Sequence, residues 1–293
     1  MSKSGIGDVS PLVRSSTPGR EAVGVRVVDV PLGWRRSVRA RIAGHGPVGL
    51  LLIHGWACSS QYWGPVLERL PDGEVSALVV DLPGSGGTAV TPGTPWSFAS
   101  CAEMTLAAAR ALGIRPDVIV GHSMGGPIAA IAAATPECRQ LILESYCPIR
   151  PFEEPRLERL RRLEEEGAAG QWLDEVIRSW FADGCSSGEL NDLVQVARST
   201  PATVLAAGMK CILRGLEDDV ARQRCATATW IFGAAETNRA VTQVTALAQA
   251  LGASLVLLEG VGHLPHVEDP ERFIAVVLAQ VRRLAKGGSD RGA

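Results

Sequence analysis

Residues 118–130 read VIVGHSMGGPIAA, and this stretch decides the fold. Its first three residues are apolar and β-branched, as in a strand buried on both faces, and its last residues are small, as in a closely packed helix. Between them, the pattern G-x-S-x-G at 121–125 is centred on Ser123. Because the chain passes directly from strand to helix, the central residue is strained, and flanking glycines remove Cβ atoms that would clash. The stretch therefore predicts a nucleophilic serine at the end of a strand.

Short apolar runs alternate with helical patterns along most of the chain. The runs are 23–30, 38–42, 49–53, 77–80, 118–120, 141–143, 228–232 and 254–258. Most of the later runs are apolar throughout, as parallel strands covered on both faces are, whereas the first two are close enough to form an antiparallel pair. Asp269 and Pro270 are a typical start for the last helix. The predicted fold is therefore α/β, with a doubly wound, mostly parallel, eight-stranded sheet.

Residues 147–222 interrupt this alternation. They contain no convincing strand and about four helical stretches, one of which carries a wide apolar stripe with Trp172 and Trp180. The stripe fits either packing among inserted helices or the roof of a substrate pocket. An insertion after the sixth strand lies over the edge where such sheets bind ligands, so we predict a helical lid. The remaining predicted segments are a flexible arm (1–20), an α/β core (21–146 and 223–286) and a frayed tail (287–293).

Composition narrows the classes of function. A net charge of −2 and a hydrophobic share of 46% predict a globular protein without a surface for nucleic acid. No apolar run approaches the roughly eighteen residues of a membrane span, and the first residues lack the apolar segment of a signal peptide. The seven cysteines are scattered, and no His/Cys cluster has metal-ligand spacing. We therefore expect a cytoplasmic protein with free thiols, no membrane partner and no metal.

A nucleophilic serine needs a base, and the base needs a carboxylate to fix its tautomer. Of the five histidines, His263 and His266 lie in a loop between the last strand and the last helix. That loop opens at the same sheet edge as Ser123. Gly262 gives the backbone freedom to aim the next ring, so His263 is the predicted base, and His266 is expected to fix the loop.

The acid is expected in another loop at this edge. Glu236 follows the strand TWIF and lies between Ser123 and His263 in the chain, as the order Ser…Asp/Glu…His requires. Glu144, which ends the sixth strand, is the alternative. Glu236 is therefore the preferred candidate, with Glu144 left open.

A tetrahedral intermediate needs two preorganised hydrogen-bond donors. One is expected from the backbone amide of Met124, which follows the nucleophile. The other is expected from the amide of Trp56, because the preceding His-Gly dipeptide turns the chain toward Ser123 after the third strand. The indole of Trp56 either shapes the acyl pocket or packs in the core. The other side chains expected to line the pocket are those of Cys58, Trp172 and Trp180.

Taken together, five motifs resemble the α/β-hydrolase superfamily. They are HGW at 54–56, DLPG at 81–84, GHSMGG at 121–126, GAAE at 233–236 and GHLPHVEDPERF at 262–273. Within the superfamily the chain is similar to carboxylesterases that include pimeloyl-[acyl-carrier protein] methyl ester esterase. The resemblance implies cofactor-independent cleavage of a small-molecule or acyl-carrier-linked ester or thioester. By position in the motifs, it implies the nucleophile Ser123, the base His263, the acid Glu236 and an oxyanion hole at Trp56 and Met124.

The departures from the family bear on the alternatives. The family usually has aspartate where this chain has Glu236. Ser123 excludes dehalogenases and epoxide hydrolases, which need an aspartate nucleophile. Carbon–carbon bond hydrolases typically carry tryptophan after the catalytic histidine, where this chain has Leu264. Lactonases, thioesterases, non-hydrolytic enzymes and a small-molecule receptor on the same fold remain as alternatives, and no oligomeric state is predicted.

Overall fold

The sheet of the protein has the predicted eight strands. The computed structural model describes residues 24–33, 36–90, 93, 95–148, 153–182, 187–237 and 240–289. The strands are β1 (Val25–Pro31), β2 (Ser37–Ala43), β3 (Val48–Ile53), β4 (Val75–Val80), β5 (Val118–His122), β6 (Gln140–Glu144), β7 (Thr229–Gly233) and β8 (Ser254–Leu258). Their order in the sheet is β1-β2-β4-β3-β5-β6-β7-β8. β2 pairs antiparallel with β1 and β4, and the other neighbours are parallel, which confirms the predicted architecture.

Helices cover both faces of this sheet. They are α1 (Gly64–Leu67), α2 (Phe98–Ala111), α3 (Gly125–Ala132), α4 (Glu153–Glu165), α5 (Gln171–Arg178), α6 (Ser187–Ser199), α7 (Ala202–Arg214), α8 (Asp219–Ala226), α9 (Val241–Leu251), α10 (Pro265–Glu268) and α11 (Pro270–Ser289). Short 3₁₀ turns lie at Ser60–Trp63 and Gly167–Ala169. In the described part of the chain, no helix has the length and apolar character to cross a membrane.

Alternate residues of β3 explain why the central strands are apolar throughout. Leu51 and Ile53 belong to a core layer that also contains residues of α2 and α3. Leu50 and Leu52 face the opposite layer, with residues of α1 and α11. All four side chains are fully buried. Helices on both faces therefore leave no polar position in the strand, as expected for a parallel sheet.

Within the described residues, five helices, α4 to α8, lie between β6 and β7, where about four were expected, and we call them the helical insertion. α8 runs across the boundary predicted at 222, and α11 includes residues 287–289 of the predicted tail. The predicted arm (1–20) lies outside the described residues. Asp269 caps α11 as predicted, because its Oδ1 accepts a hydrogen bond from the backbone N–H of Arg272 at 3.0 Å.

Candidate active site

The elbow at Ser123 is a strained and closely packed turn. Ser123 has a φ of +50°, in the left-handed region that non-glycine residues seldom adopt. A Cβ atom on Gly121 would lie 2.4 Å from the carbonyl oxygen of Gly125, and one on Gly125 would lie 2.5 Å from that of Ile53. The backbone N–H of Ser123 donates to the carbonyl of Glu144 at 2.8 Å, which ties the turn to β6. Both glycines are therefore required by close contacts around the serine.

The structure brings Ser123, His263 and Glu236 together in one hydrogen-bonded series. The Nε2 atom of His263 lies 3.1 Å from the hydroxyl oxygen of Ser123, and its Nδ1 lies 2.5 Å from the Oε2 of Glu236. The Glu236 carboxylate is almost fully buried. A carboxylate at Nδ1 accepts its proton and leaves Nε2 as the acceptor for the serine hydroxyl. The arrangement is that of a nucleophile, a base and an orienting acid.

Glu144, the alternative acid, has a different partner. Its Oε1 accepts hydrogen bonds from both the backbone N–H and the Nδ1–H of His266, each at 2.8 Å. The ring of His266 stacks on Trp63 with centroids 4.2 Å apart, and both residues of the pair are buried. Glu144 is therefore bound to the histidine that was expected to fix the loop, and Glu236 is the partner of His263.

A second glutamate, which the sequence analysis did not single out, holds the loop of His263. The carboxylate of Glu268 accepts hydrogen bonds from the backbone N–H groups of Gly262 at 3.0 Å and Leu264 at 3.1 Å, on either side of the histidine. It also accepts one from Ala182, just after α5, at 2.8 Å. The available sequence signal is an acidic residue a few positions after His263, in a short segment whose backbone N–H groups need acceptors.

The helical insertion is attached to the core at two further points, one in the loop of His263 and one at Trp56. The backbone N–H of His263 donates to the carbonyl of Trp180 at 2.6 Å. The indole N–H of Trp56 donates to the carbonyl of Leu205 in α7 at 2.8 Å, and its ring contacts Trp180 edge-on. The position of the insertion is thereby linked to the position of the candidate base.

His122 precedes the serine but does not contact its hydroxyl. Its Nε2 lies 3.0 Å from the carbonyl oxygen of His263, to which it donates. Burial lowers the pKa of His122 well below its ordinary value, and the neighbouring His266 and His263 lower it further. The ring is therefore neutral, and it packs between the two histidines of the loop as a support.

The amides of Trp56 and Met124 are available as donors. Within the described chain, neither backbone N–H donates a hydrogen bond to a protein acceptor. Ala57, which follows Trp56, has a φ of +57°, so this turn is strained like the one at Ser123. Strained turns of this kind hold backbone groups in fixed orientations beside a reacting centre. The two amides match the donors that an oxyanion hole requires.

An open cavity of about 1100 Å³ lies over the serine. Its wall includes the predicted Ser123, His263, Glu236, Trp56, Met124 and Trp180. Cys58 and Trp172, which were also expected there, are not part of the wall. Cys58 is buried and donates to the carbonyl of Trp56, and burial raises the pKa of its thiol. Trp172 instead packs with Leu173 and Ile177 in the interior of the insertion.

Arginines are the part of the cavity wall that sequence reasoning missed. The four are Arg156, Arg159, Arg214 and Arg222. They belong to three separate helices of the insertion, α4, α7 and α8, so no local pattern announces them. Glu236 is the acidic residue in the described wall, and it is bound to His263. No group of three potential metal ligands occurs in the described residues.

Comparison with known proteins identifies the family of the chain. The chain is 27% identical over 254 residues to 2-succinyl-6-hydroxy-2,4-cyclohexadiene-1-carboxylate synthase of Salmonella paratyphi B, covering 82% of this chain and 95% of that relative. A thermophilic esterase from Thermogutta terrifontis superimposes with a TM-score of 0.72 at 22% identity, covering 88% of this chain and 98% of the esterase.

An enol-lactonase from Burkholderia xenovorans LB400 superimposes with a TM-score of 0.68 at 20% identity, covering 83% of this chain and 96% of the lactonase. These two structures share the fold. Residues 50–276 match the Alpha/beta hydrolase family. With the eight-stranded sheet and the serine elbow, this match shows that the chain belongs to the alpha/beta hydrolase family.

Proposed function

We propose that the protein is a cofactor-independent serine hydrolase that cleaves a carboxylic ester or thioester through an acyl-enzyme on Ser123. The observation that carries the proposal is the series Glu236–His263–Ser123, with contacts of 2.5 and 3.1 Å, opening into a cavity. A hydroxyl becomes a competent nucleophile when an oriented base accepts its proton. These three residues provide the nucleophile, the base and the orienting group.

In the first half-reaction, the oxygen of Ser123 attacks the substrate carbonyl carbon while its proton passes to the Nε2 of His263. Glu236 stabilises the resulting imidazolium. The negative oxygen of the tetrahedral intermediate accepts hydrogen bonds from the amides of Trp56 and Met124. When the intermediate collapses, the C–O or C–S bond breaks, and the leaving group takes the proton from His263. The products are an acyl-enzyme and a neutral alcohol or thiol.

In the second half-reaction, water replaces the leaving group. His263 accepts a proton from the water as its oxygen attacks the acyl carbon, and the same oxyanion donors serve again. Collapse of this second intermediate breaks the bond between the acyl carbon and Ser123, and His263 returns the proton to the serine. A carboxylic acid leaves, and the enzyme is restored. No cofactor enters either step.

The helical insertion is proposed to act as the lid of this site. Support comes from Trp180 and four arginines, which place parts of α4, α7 and α8 and the end of α5 in the cavity wall. Further support comes from two hydrogen bonds between the insertion and the core. The backbone N–H of Ala182 donates to Glu268, and the indole N–H of Trp56 donates to the carbonyl of Leu205. A lid held at these points excludes water from the acyl-enzyme while leaving specificity to side chains of the insertion.

A second candidate is non-hydrolytic chemistry by the same residues. It is favoured by the relative of 27% identity, which is named a synthase and not a hydrolase. In that case Ser123 and His263 would act together as a base toward a substrate proton, and no acyl group would be transferred to the serine. The two candidates therefore differ in whether a covalent acyl-Ser123 species forms.

A labelling experiment separates the candidates. Wild type, Ser123→Ala and the control Ser199→Ala, at an exposed serine of α6, are treated with a fluorophosphonate and then mapped by mass spectrometry. The same proteins are assayed against esters and thioesters of graded chain length. We expect an adduct on Ser123, ester turnover lost only in Ser123→Ala, and an acyl-Ser123 species trapped during turnover. Turnover that survives in Ser123→Ala would overturn the proposal, and labelling without any acyl-Ser123 species would favour the second candidate.

A further inference from the structure

The helical insertion makes the cavity wall positive, although the chain as a whole has a net charge of −2. Arg156 and Arg159 lie three residues apart on α4, Arg214 ends α7, and Arg222 lies on α8. The carboxylate of Glu236, in the same wall, is hydrogen-bonded to His263. Arg222 is ion-paired with Asp219, whereas no ion pair is described for Arg159 or Arg214.

Arg159 is the least compensated of these cations. Its side chain is half-buried, and within the described residues no carboxylate or carbonyl lies at hydrogen-bonding or ion-pair distance from it. Burial lowers the pKa of its guanidinium, and no acidic neighbour raises it again. Arg214 is exposed, and the contact described for its guanidinium is a weak one, 3.5 Å to the sulfur of Cys211.

Other arginines of the insertion are placed differently. Arg161, two residues from Arg159 on α4, is exposed and forms ion pairs with Glu158 and Glu165 on the outside of the helix. Arg198 of α6 is paired with Asp174 of α5. Arg161 and Arg198 therefore have acidic partners within the insertion, whereas none is described for Arg159. The contrast between Arg159 and Arg161 is one of position, since both lie on the same helix.

Partial burial of a cation without a counter-charge costs free energy, because the charged group loses hydration without gaining a partner. A guanidinium presents its donors in a planar fork, which matches the two oxygens of a carboxylate or phosphate. Ser123 and the arginines line one and the same cavity, so a single bound molecule can contact both.

We propose that the substrate carries a carboxylate or phosphate group, which Arg159, assisted by Arg214, binds while the scissile carbonyl lies at Ser123. This inference rests on the proposed ester or thioester hydrolysis and names the substrate class of that site. When the arginines hold a carboxylate or phosphate at one end of the substrate, the distance from that group to the scissile carbonyl must match the distance to Ser123. The arginines therefore select substrates by charge and by length.

The first experiment compares a charged and a neutral ester of equal length. The substrates are mono-4-nitrophenyl glutarate, with a free carboxylate, and 4-nitrophenyl pentanoate. The proteins are wild type, Arg159→Gln, Arg159→Lys and the matched control Arg161→Gln. We expect wild type to prefer the charged ester in kcat/KM, and Arg159→Gln to lower that preference about 10- to 100-fold, the size of a charge-assisted contact. Arg159→Lys should recover part of it, and Arg161→Gln should keep all of it.

A second pair of substrates locates the anion. Butyryl-coenzyme A carries phosphates on its leaving group, whereas S-butyryl-N-acetylcysteamine has the same thioester without them. A selective loss in Arg159→Gln on the glutarate ester places the anion on the acyl group, and a selective loss on the coenzyme A thioester places it on the leaving group. An Arg159→Gln variant that keeps the wild-type preference in both pairs overturns the inference.

A binding measurement keeps this inference separate from the proposed function. Glutarate and inorganic phosphate are added to Ser123→Ala, with and without Arg159→Gln or Arg161→Gln, and the Tm is followed. We expect one of the two anions to raise the Tm in Ser123→Ala and in the Arg161 control, and to lose that effect with Arg159→Gln. If no ester is hydrolysed but this shift is seen, the hydrolase proposal fails and the anion site stands. If neither anion raises the Tm, or if Arg159→Gln responds equally, the anion site is overturned.

Discussion

Two histidine–glutamate pairs lie side by side at the carboxyl edge of the sheet, and they differ in what surrounds them. In one, His263 contacts Glu236 at 2.5 Å, lines the cavity and reaches Ser123 with its other nitrogen. In the other, His266 contacts Glu144 at 2.8 Å, stacks on Trp63 and has no described partner at its Nε2. The ring of His122 lies 5.0 Å from the first histidine and 4.9 Å from the second.

The comparison separates two uses of the same contact. A carboxylate at Nδ1 fixes the orientation of an imidazole in both pairs, so the contact alone does not identify a base. What distinguishes His263 is an Nε2 that faces a nucleophile and an open cavity. The buried pair instead joins the end of β6 to the loop after β8. We therefore assign catalysis to the first pair and stability to the second, and the two assignments can be tested against each other.

The largest expected effect is on turnover, from the pair at the cavity. Glu236→Gln retains the size of the side chain but offers an amide N–H to the imidazole, which disturbs its tautomer. We expect kcat to fall about 10³- to 10⁴-fold on any ester that wild type hydrolyses. Urea denaturation should show a much smaller relative change in stability. A Glu236→Gln variant with near-wild-type kcat would remove this glutamate from the proposed mechanism.

The complementary change is in the buried pair. Glu144→Leu keeps a similar volume but leaves two donors of His266 without an acceptor in a dry environment. Breaking a buried pair of this kind is expected to cost about 3–5 kcal/mol of unfolding free energy, measured by urea denaturation. At a temperature where the variant is folded, its kcat should fall far less than that of Glu236→Gln. Stable protein with abolished turnover would instead make Glu144 the working acid.

The sequence predicts the members of these pairs better than it predicts the pairing. Ser123 is identifiable because a strand, a turn and a helix meet within a few residues, which restricts the local backbone. Glu236 and Glu144 are harder to separate, because both follow a strand of the same parallel sheet and emerge at the same edge. The choice depends on which glutamate meets which histidine in space. Glu236 lies 27 residues from His263 along the chain, and Glu144 lies 122 residues from His266.

The cavity wall shows a second limit. Trp180 and Trp172 belong to one apolar stripe, and only the first of them reaches the cavity. Arg159 lies in the charged sequence of α4 close to Arg161, and nothing in the neighbouring residues distinguishes the arginine at the cavity from the one at the surface. Their difference depends on the packing of α4 against α7, which the helical period alone does not determine. The eight strands were predictable because a strand that is covered on both faces is apolar along its whole length, and such a run can be recognised in the sequence.

A third substitution, at Glu268, tests whether the loop of His263 must be held in position for the proposed catalysis. Glu268 accepts hydrogen bonds from the amides on both sides of His263 and from Ala182 of the insertion. Glu268→Gln removes the charge that strengthens these bonds, and we expect kcat to fall about 10- to 100-fold while KM changes little. Glu268→Asp should recover part of the rate, and Glu271→Gln, at an exposed position of α11, is the matched control. A change confined to stability would make Glu268 structural and not a positioning residue.

The smallest expected effect concerns His122, which lies between the two pairs, and it appears in the pH dependence of stability. Because burial holds the pKa of His122 well below its ordinary value, the unfolded chain takes up a proton at this residue before the folded protein does. Unfolding free energy is therefore lost as the pH falls through the unfolded value of about 6.5 and continues to be lost until the folded pKa is reached.

One such histidine contributes about 1.4 kcal/mol per pH unit within that window. His54, whose pKa burial also lowers, acts in the same direction. We expect His122→Gln, whose side-chain amide can still donate to the carbonyl of His263, to reduce the slope between pH 6 and pH 5 by about this amount. The control is His45→Gln at an exposed position, which should leave the slope unchanged. An equal slope in wild type and His122→Gln would mean that the ring is protonated in the folded protein, and the neutral support between the two pairs would have to be abandoned.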